Sequence, residues 1–205
     1  MGASFWRIKW VLWSEQARII SRYYPKNWRF ALADLALGLI RFFSNPYRVC
    51  RRRGDVYGET PLTTLHRIVN VCQLSLADRW CELGSGRGKS CFWVAQWIGC
   101  PAIGLEQVPL FVYTARCIAW LLHIPAYFHC GDLFKADLPY ATCVYVYSTC
   151  FSEEQLSLLA QRLSTLPRGA KVVTISAPLP QWPYHAFPVS FPWGQTTAYL
   201  HIQHQ

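Results

Sequence analysis

The sequence predicts an α/β fold in which a doubly wound, mostly parallel sheet follows an N-terminal helical arm. Three observations support this prediction. A short apolar strand leads through a glycine-rich turn into a helical pattern, strands and helical patterns then alternate, and the last segment has strands but no helix. Such alternation is typical of a parallel sheet covered on both faces, and the helix-free tail predicts a closing antiparallel hairpin.

The first 53 residues predict a basic, apolar and helical arm. They contain eleven Lys and Arg but two acidic residues, which accounts for the whole net charge of +9. The apolar run over 28–43 contains charges and is shorter than the roughly 20 residues that cross a bilayer. A helix lying on a membrane surface fits this composition best. A packed helix pair with its basic face in water and a nucleic-acid contact are the alternatives.

Composition limits the class of protein further. The chain is not disordered, because 52% of its residues are hydrophobic and 10 are Trp. The 9 cysteines include no Cys-x-x-Cys pair, so the sequence predicts no structural metal. Most of them lie in apolar runs, where Cys behaves as a small hydrophobic residue. We therefore expect a reduced, cytoplasmic protein, with a peripheral position on the inner face of a membrane as the alternative.

Residues 54–205 predict a second unit, the α/β domain, which begins with a loop and a well-marked helix. Thr60 is predicted to cap this helix and Pro61 to occupy its first position. The apolar stripe of the helix continues to about Gln73. A loop directly before such a helix can close over a ligand.

A strand over Trp80–Leu83 carries Glu82 near its end and leads into a turn with three glycines. These are Gly84, Gly86 and Gly88. A helical pattern begins at Cys91. Glycine lets a ligand approach the backbone with no Cβ in the way, and the start of a helix offers free N–H groups. The segment therefore predicts a ligand site.

Three kinds of ligand site share this outline. A P-loop requires a glycine where this chain has Leu83, five positions before Gly88-Lys-Ser. Dinucleotide sites have the spacing Gly-x-Gly-x-x-Gly, whereas the spacing here is Gly-x-Gly-x-Gly. Glu82 to Gly88 resembles instead the turn of class I S-adenosylmethionine (SAM) methyltransferases, where a carboxylate suits the cationic amino group and sulfonium of the ligand. A turn that binds no ligand is the remaining alternative.

The later elements alternate regularly. The sequence predicts strands over 101–105, 126–130, 142–147, 170–176 and 196–202, and helices over 108–123 and from 152 to about 166. Ser152 and Gln155 predict a capping box at the start of the second of these helices.

Polar residues follow the predicted strands. Glu106 comes about 20 residues after the glycine turn, where a carboxylate can accept hydrogen bonds from ribose hydroxyls. Asp132 is predicted to lie by an adenine amino group, with Leu133 packed near the ring. Tyr147 and Ser148 end the fourth strand, where they would face a transferred methyl group.

From residue 55 onward the chain resembles two groups of lysine methyltransferases. Similar to the Dot1-like histone enzymes are Val56-Tyr-Gly-Glu-Thr60, Glu82-Leu-Gly-Ser-Gly-Arg-Gly88 and the helix led by Phe151. Similar to the mitochondrial ATP-synthase c-subunit enzymes are Gly104-Leu-Glu106, Asp132-Leu-Phe, Ala177-Pro-Leu-Pro-Gln-Trp182 and the basic arm. The resemblance implies a Rossmann-like sheet of seven strands that binds SAM.

The resemblance also implies site residues. The SAM contacts it implies are Tyr57, Thr60, Glu82, Gly84, Ser85, Gly86, Gly88, Lys89, Glu106, Asp132, Leu133 and Tyr147. The predicted catalytic residues are Tyr147, Ser148 and Tyr57, and Tyr147 is chosen for its position at the end of the fourth strand. Two positions depart from the Dot1 pattern: Lys89 stands where glutamine is frequent, and Tyr147-Ser148 replaces two asparagines.

These observations predict a SAM-dependent N-methyltransferase acting on an amine, a protein lysine being the expected acceptor. The alternatives are methylation of a small molecule or lipid by the same fold, and a membrane-associated SAM-binding module without catalysis. RNA methylation through the basic arm is a further alternative, and it predicts salt-dependent RNA binding.

Overall fold

The computed structural model describes residues 27–43, 45–46, 48, 57–135, 137–138 and 140–204, with isolated positions at 14, 17–18, 21 and 24–25. Its centre is a sheet of seven strands, which confirms the predicted fold class. The strands are β1 Trp80–Leu83, β2 Ala102–Glu106, β3 Ala126–Cys130, β4 Cys143–Val146, β5 Lys171–Ile175, β6 Tyr184–Phe191 and β7 Gly194–Ile202.

The strand order is β3-β2-β1-β4-β5-β7-β6. The first five strands are parallel, and β7 joins β5 antiparallel as half of the β6–β7 hairpin, as the helix-free tail predicts. All four residues of β1 and of β4 are buried, which suits central strands covered on both faces. Because the chain leaves β1 toward β2 on one side while β4 lies on the other, a crevice opens at the carboxyl ends of these strands.

Five helices cover the sheet within the part of the chain described here. They are α1 Trp28–Phe43, α2 Leu62–Val71, α3 Lys89–Trp97, α4 Pro109–Leu122 and α5 Glu153–Leu163. Helices α1 to α4 share one hydrophobic core, and α5 packs over a second core on the opposite face. The rings of Trp80 and Tyr145 stack in the first core with centroids 5.6 Å apart.

Helix α1 belongs to the core of the domain. It packs against α3 and α4, and Phe30, Ala33 and Leu37 are buried in the contact. Its other face is apolar but exposed, with Trp28 and Leu35 exposed by 58% and 59%. Among the described helices, none is both long and apolar enough to cross a membrane. Most of the predicted arm, including residues 1–13 and 49–53, lies outside the described residues.

Two predictions about helix starts had different outcomes. The capping box of Ser152 and Gln155 is confirmed, because both reciprocal hydrogen bonds are present at the start of α5. The prediction that Thr60 caps α2 is wrong. The helix begins at Leu62 with Pro61 as its N-cap, and the Thr60 hydroxyl instead lies 2.7 Å from the hydroxyl of Tyr145.

The proline-rich segment after β5 is held by a neutral histidine. The N–H of Leu179 donates to Nε2 of His201 at 3.2 Å, and Nδ1 of the same ring lies 3.1 Å from the carbonyl of Pro183. Burial lowers the pKa of His201 to about 4, so the ring keeps one donor and one acceptor at neutral pH. The segment 177–182 therefore has a structural role in closing the second core.

Candidate functional site

A cavity of 680 Å³ opens at the carboxyl ends of β1, β2 and β4. Its walls come from the glycine turn, the loops after β2 and β3, the start of α5 and the segment before α2. The residues on them include Tyr57, Gly58, Gly84, Gly86, Glu106, Val108, Phe111, Asp132, Leu133, Phe134, Tyr147, Cys150, Phe151 and Gln155. A cavity of this size and mixed lining suits a ligand of a few dozen atoms.

The glycine turn forms a wall of bare backbone. Gly84 has φ +81°, and a Cβ added there would meet no atom within 4 Å, because it would extend into open space. Gly86 has φ +53°, and a Cβ there would come within 3.2 Å of the Tyr57 ring. Gly84 therefore keeps room for a ligand against the backbone, and Gly86 gives the Tyr57 ring room to pack on the turn.

Gly88 has a different purpose, which corrects its predicted role as a cofactor contact. It has φ +84°, and a Cβ there would lie 2.5 Å from the ring of Phe128 and 3.3 Å from Cβ of Ala115. It lies on the wall of neither the cavity nor its extension. Gly88 is required for close packing between the start of α3 and the sheet.

Lys89 is engaged by the N-terminal helix. Its ammonium lies 2.7 Å from Oδ1 of Asp34 in α1, although the residue also borders a small extension of the cavity. The structure therefore gives the Lys89 charge a partner in the protein, and its predicted SAM contact stays a prediction.

Glu106 organises the middle of the cavity. Its two carboxylate oxygens accept hydrogen bonds from the backbone N–H groups of Gly86 and Val108, both at 2.9 Å. The side chain thus joins the glycine turn to the start of α4. Glu106 also lies on the cavity wall, and its contact with ribose hydroxyls stays a prediction.

Asp132 and Leu133 lie on the cavity wall after β3, and their predicted contact with an adenine stays a prediction. Oδ1 of Asp132 accepts from the N–H of Phe134 at 3.0 Å, which fixes the turn after β3. Leu133, Phe134 and Phe111 give this end an apolar surface. An aromatic base with one polar edge would fit there.

Glu82 lies at the bottom of a small extension of 20 Å³, which Thr60 and Ser85 also border. That space holds about one water molecule or one ammonium group. The thiol of Cys91 donates to Oε2 of Glu82 at 3.3 Å. Burial, reinforced by the nearby charges of Glu106 and Glu59, raises the pKa of Glu82 to about 8. The carboxyl is therefore mostly protonated at neutral pH until a cation approaches it.

Tyr147 and Ser148 are placed differently, although both follow β4 directly. Tyr147 lies on the cavity wall, and its hydroxyl accepts from Nε1 of Trp193 in the β6–β7 turn at 3.0 Å. Ser148 is buried, and its hydroxyl donates to the carbonyl and accepts from the N–H of Ile175 at 2.9 and 3.2 Å. The structure brings Tyr147 to the cavity and does not bring Ser148 there, which corrects the catalytic role predicted for Ser148.

The segment before α2 covers the glycine turn, and the sequence did not reveal how it is held. The Tyr57 hydroxyl donates to Oε1 of Glu59 at 2.6 Å, and the Arg87 side chain reaches both residues. Burial and the Glu59 charge raise the pKa of Tyr57. Arg87 and Glu59 were missed because each reads as a surface charge, although both stand inside the motifs that define the site.

The cavity fits SAM on three features of these residues. Gly84, on the cavity wall, leaves open space that a side chain would fill. The buried hydroxyl of Ser85, on the small extension, has no hydrogen-bond partner among the described residues. The cavity and its extension are acidic at Glu82 and Glu106, which suits a cationic amino acid and a ribose. The cavity wall is apolar beside Asp132, which suits a base. Within the described chain, no cluster of His, Cys, Asp or Glu could hold a metal.

Several known proteins are similar to this chain in sequence. A family model described as histone methylation protein DOT1 matches residues 47–116. The ATP synthase c-subunit lysine N-methyltransferase of Rattus norvegicus is 30% identical over 164 residues, covering 76% of this chain and 74% of the relative. The adenine nucleotide translocase lysine N-methyltransferase of Mus musculus is 36% identical over 104 residues, 49% of this chain and 44% of the relative.

Two further comparisons are a sequence match to a much longer histone methyltransferase and a superposition on a solved structure. The H3 lysine-79 specific histone-lysine N-methyltransferase of Dictyostelium discoideum is 26% identical over 145 residues, 62% of this chain but 8% of the relative. The structure of an RNA methyltransferase from Salinibacter ruber with S-adenosyl-L-homocysteine superposes with a TM-score of 0.63 and 26% identity, covering 72% of this chain and 95% of that one.

The fold and the cavity define a SAM-dependent methyltransferase. The match to the rat enzyme spans about three quarters of both chains. The chain belongs to the family of the ATP synthase c-subunit lysine N-methyltransferase.

Proposed function

We propose that this protein transfers a methyl group from SAM to the ε-amine of a lysine in a protein. The observation that carries the proposal is the SAM-type cavity in a chain whose family relatives are named as lysine N-methyltransferases. The three named relatives differ in the protein they methylate. The acceptor of this chain is therefore defined here by its chemistry, a lysine side chain.

The reaction requires a neutral amine held in line with the methyl group that SAM supplies when bound. Orientation of this kind removes most of the entropic barrier to a bimolecular transfer. Tyr147, Phe151 and Cys150 form the cavity wall near β4. Such a wall disfavours the ammonium form of an entering lysine by desolvation. Trp193 holds the Tyr147 hydroxyl from behind, so that the ring keeps its orientation beside the reacting amine.

The first test is methyl transfer from labelled SAM to three purified candidates: the rat ATP synthase c-subunit, mouse adenine nucleotide translocase and nucleosomes. We expect label on a lysine of at least one of them. Tyr147→Ala should lower the rate about a hundredfold because the amine loses its orienting wall, and the rate should fall by a larger factor than SAM affinity, to which Tyr147 is also predicted to contribute. Tyr127→Ala is the matched control, since Tyr127 is 59% exposed on the edge strand β3.

Two outcomes would contradict the proposal. Label found on RNA, and on none of the three proteins, would favour the RNA methyltransferase alternative. Label on a lipid or small amine alone would keep the fold and the cofactor but replace the acceptor.

We also propose that the enzyme works at an anionic membrane surface, which the exposed face of α1 supports. The residues on that face are apolar at helical spacing: Trp28, Leu32, Leu35 and Leu39. Helix α4, on which α1 packs, exposes Tyr113 and Trp120. Residues 1–53 carry the whole net charge of +9. Apolar and aromatic side chains with an excess of Lys and Arg are typical of helices that lie in the lipid interface.

Vesicle flotation tests this second proposal. We expect binding to phosphatidylcholine vesicles that contain phosphatidylserine, and weaker binding without phosphatidylserine or in high salt. Leu35→Ser with Leu39→Ser should lower the bound fraction several-fold because about 25 cal/mol is lost per Å² of apolar area not buried. Leu158→Ser, at an exposed position of α5, should bind as the parent does. Equal binding of both variants would contradict the proposal.

A further inference from the structure

Arg87 is a buried arginine inside the glycine turn. It stands between Gly86 and Gly88, and its side chain is 5% exposed. Arginine is rarely buried to this extent unless its donors are bonded. Because Arg87 lies in the turn that faces the ligand, the contacts of its side chain show which segments are held beside the ligand site.

The guanidinium of Arg87 bonds to two segments that are separate from the glycine turn in the sequence. Nε donates to the Tyr57 hydroxyl and to Oε1 of Glu59, both at 3.0 Å. Nη2 forms a short ion pair with the same carboxylate of Glu59. Nη1 donates to the backbone carbonyl of Leu37, in α1, at 2.6 Å. One side chain therefore joins the glycine turn, the segment before α2 and the N-terminal helix.

These bonds set the position of Tyr57, which lies against the cavity. The ring packs on Phe111 with centroids 5.6 Å apart and covers the open side of Gly86. Residues 57–60, which we call the lid, border both the cavity and its extension. If Arg87 moves away, the Tyr57 hydroxyl keeps its bond to Glu59 within the lid but loses the bond that ties it to the glycine turn.

A second bond from the same region ties α1 to the site. Lys89 pairs with Asp34 at 2.7 Å, and Asp34 also accepts from the Tyr24 hydroxyl at 2.7 Å. Helix α1 is thus bonded on both sides of Gly88. Asp34 borders neither the cavity nor its extension, so any effect of Asp34 on the ligand must pass through these bonds.

We propose that Arg87 is a positioning residue that latches the lid over the bound cofactor and couples it to α1. The inference rests on the SAM site and not on the identity of the methyl acceptor. Its consequence is that the N-terminal helix controls how long the cofactor is retained. Contacts made by the exposed face of α1 would then reach the cofactor through Leu37 and Asp34.

Binding of S-adenosyl-L-homocysteine, measured by calorimetry and by stopped-flow dissociation, tests the proposal without any acceptor. Arg87→Lys keeps the charge but lacks the planar fork. We expect its affinity to fall about tenfold, mostly through faster dissociation, because hydrogen bonds to charged groups are lost. Glu59→Gln should act similarly, and the double variant Arg87→Lys/Glu59→Gln should be no weaker than either single variant, since both remove one interaction.

Asp34→Asn tests the coupling to α1. We expect a several-fold faster dissociation of S-adenosyl-L-homocysteine from this variant, although Asp34 is outside the cavity. Glu154→Gln is the control for loss of an acidic charge, because Glu154 is exposed on α5, and it should behave as the parent does. Thermal melting of each variant shows whether it is folded. Arg87→Lys and Asp34→Asn are conservative changes, so we expect both variants to fold.

The outcomes separate this inference from the proposed function. Parental affinity and dissociation rate in folded Arg87→Lys, Glu59→Gln and Asp34→Asn would overturn the latch. A parent that binds S-adenosyl-L-homocysteine but methylates no protein would overturn the lysine acceptor and leave the latch standing. An effect at Arg87 without one at Asp34 would overturn the coupling to α1.

Discussion

Gly88→Ala is expected to lower the free energy of unfolding by about 3 kcal/mol or more, because two costs add. Inserting a methyl group into a packed core costs about 1 to 3 kcal/mol, and the added Cβ would lie 2.5 Å from the Phe128 ring. A non-glycine residue at φ +84° costs about 1 to 2 kcal/mol more. Urea denaturation followed by circular dichroism measures the sum.

The same change at Gly84 should have a different result. Its Cβ would meet nothing within 4 Å, so the stability loss is limited to the backbone strain of about 1 to 2 kcal/mol. The methyl group would extend into the space that faces the cofactor, and we expect SAM affinity to fall at least about tenfold, as steric exclusion from a close backbone approach predicts.

Gly169→Ala isolates the backbone term. Gly169 has φ +84° and open space around its Cβ position, and it lies in the turn before β5, away from the cavity. Its variant should show the strain alone, with SAM affinity unchanged. A Gly88→Ala variant as stable as Gly169→Ala would contradict the packing role of Gly88, and unchanged SAM affinity in Gly84→Ala would contradict its place at the cofactor.

The three glycines of the turn show how much of the site could be predicted from the sequence. Their spacing predicted the class of site, because a strand, a turn and a helix are local features. It did not separate Gly88 from the other two, since the need for glycine there comes from Phe128 and Ala115, which β3 and α4 bring up from distant parts of the chain. The spacing of the glycines identifies the motif, and the packing around each glycine determines its role.

Other outcomes follow from the same division between local and tertiary information. The central strands were predictable because buried parallel strands are continuously apolar. The sequence could have excluded Ser148 from the site. Neighbouring side chains in extended backbone point to opposite sides, so Tyr147 and Ser148 should not have been expected to face the cavity together. Arg87 was not predictable as a buried residue, since its partners Glu59 and Leu37 are assembled by the fold.

Thr60 is an intermediate case. Its sequence context, a hydroxyl residue before proline at the start of a helix, is typical of a cap. In the structure the hydroxyl pairs with Tyr145 instead, and this contact fixes the end of the lid to β4. The local preference was overridden because a buried tyrosine hydroxyl needs a partner.

SAM affinity is expected to rise at least about tenfold between about pH 6 and pH 7.5, because the pKa of Glu82 is raised to about 8. Below that pKa the folded protein carries a neutral carboxyl, and the cationic amino group of the ligand favours the charged form. Binding therefore releases a proton, and each pH unit below the pKa weakens binding by up to about tenfold. The 20 Å³ extension beside Glu82 has room for one ammonium group.

Calorimetry in buffers of different ionisation enthalpy counts this proton, and we expect nearly one released at pH 7. Glu82→Gln should bind SAM more weakly by about 10- to 100-fold, as the loss of a buried charged contact predicts, and its affinity should not depend on pH in this range. The matched control is Glu154→Gln, an exposed position of α5, which should keep the parental pH dependence.

A rise in pH should lower the stability of the fold although it raises SAM affinity. This opposite dependence gives an independent check on Glu82. A carboxyl whose pKa is higher in the folded state than in the unfolded chain stabilises the fold only while it is protonated. The ligand-free protein should therefore lose stability as the pH rises from about 4.5 toward 8, and Glu82→Gln should reduce this loss. A SAM affinity independent of pH, together with an unchanged stability profile in Glu82→Gln, would mean that Glu82 is charged before the ligand arrives and that the extension is not the site of the amino group.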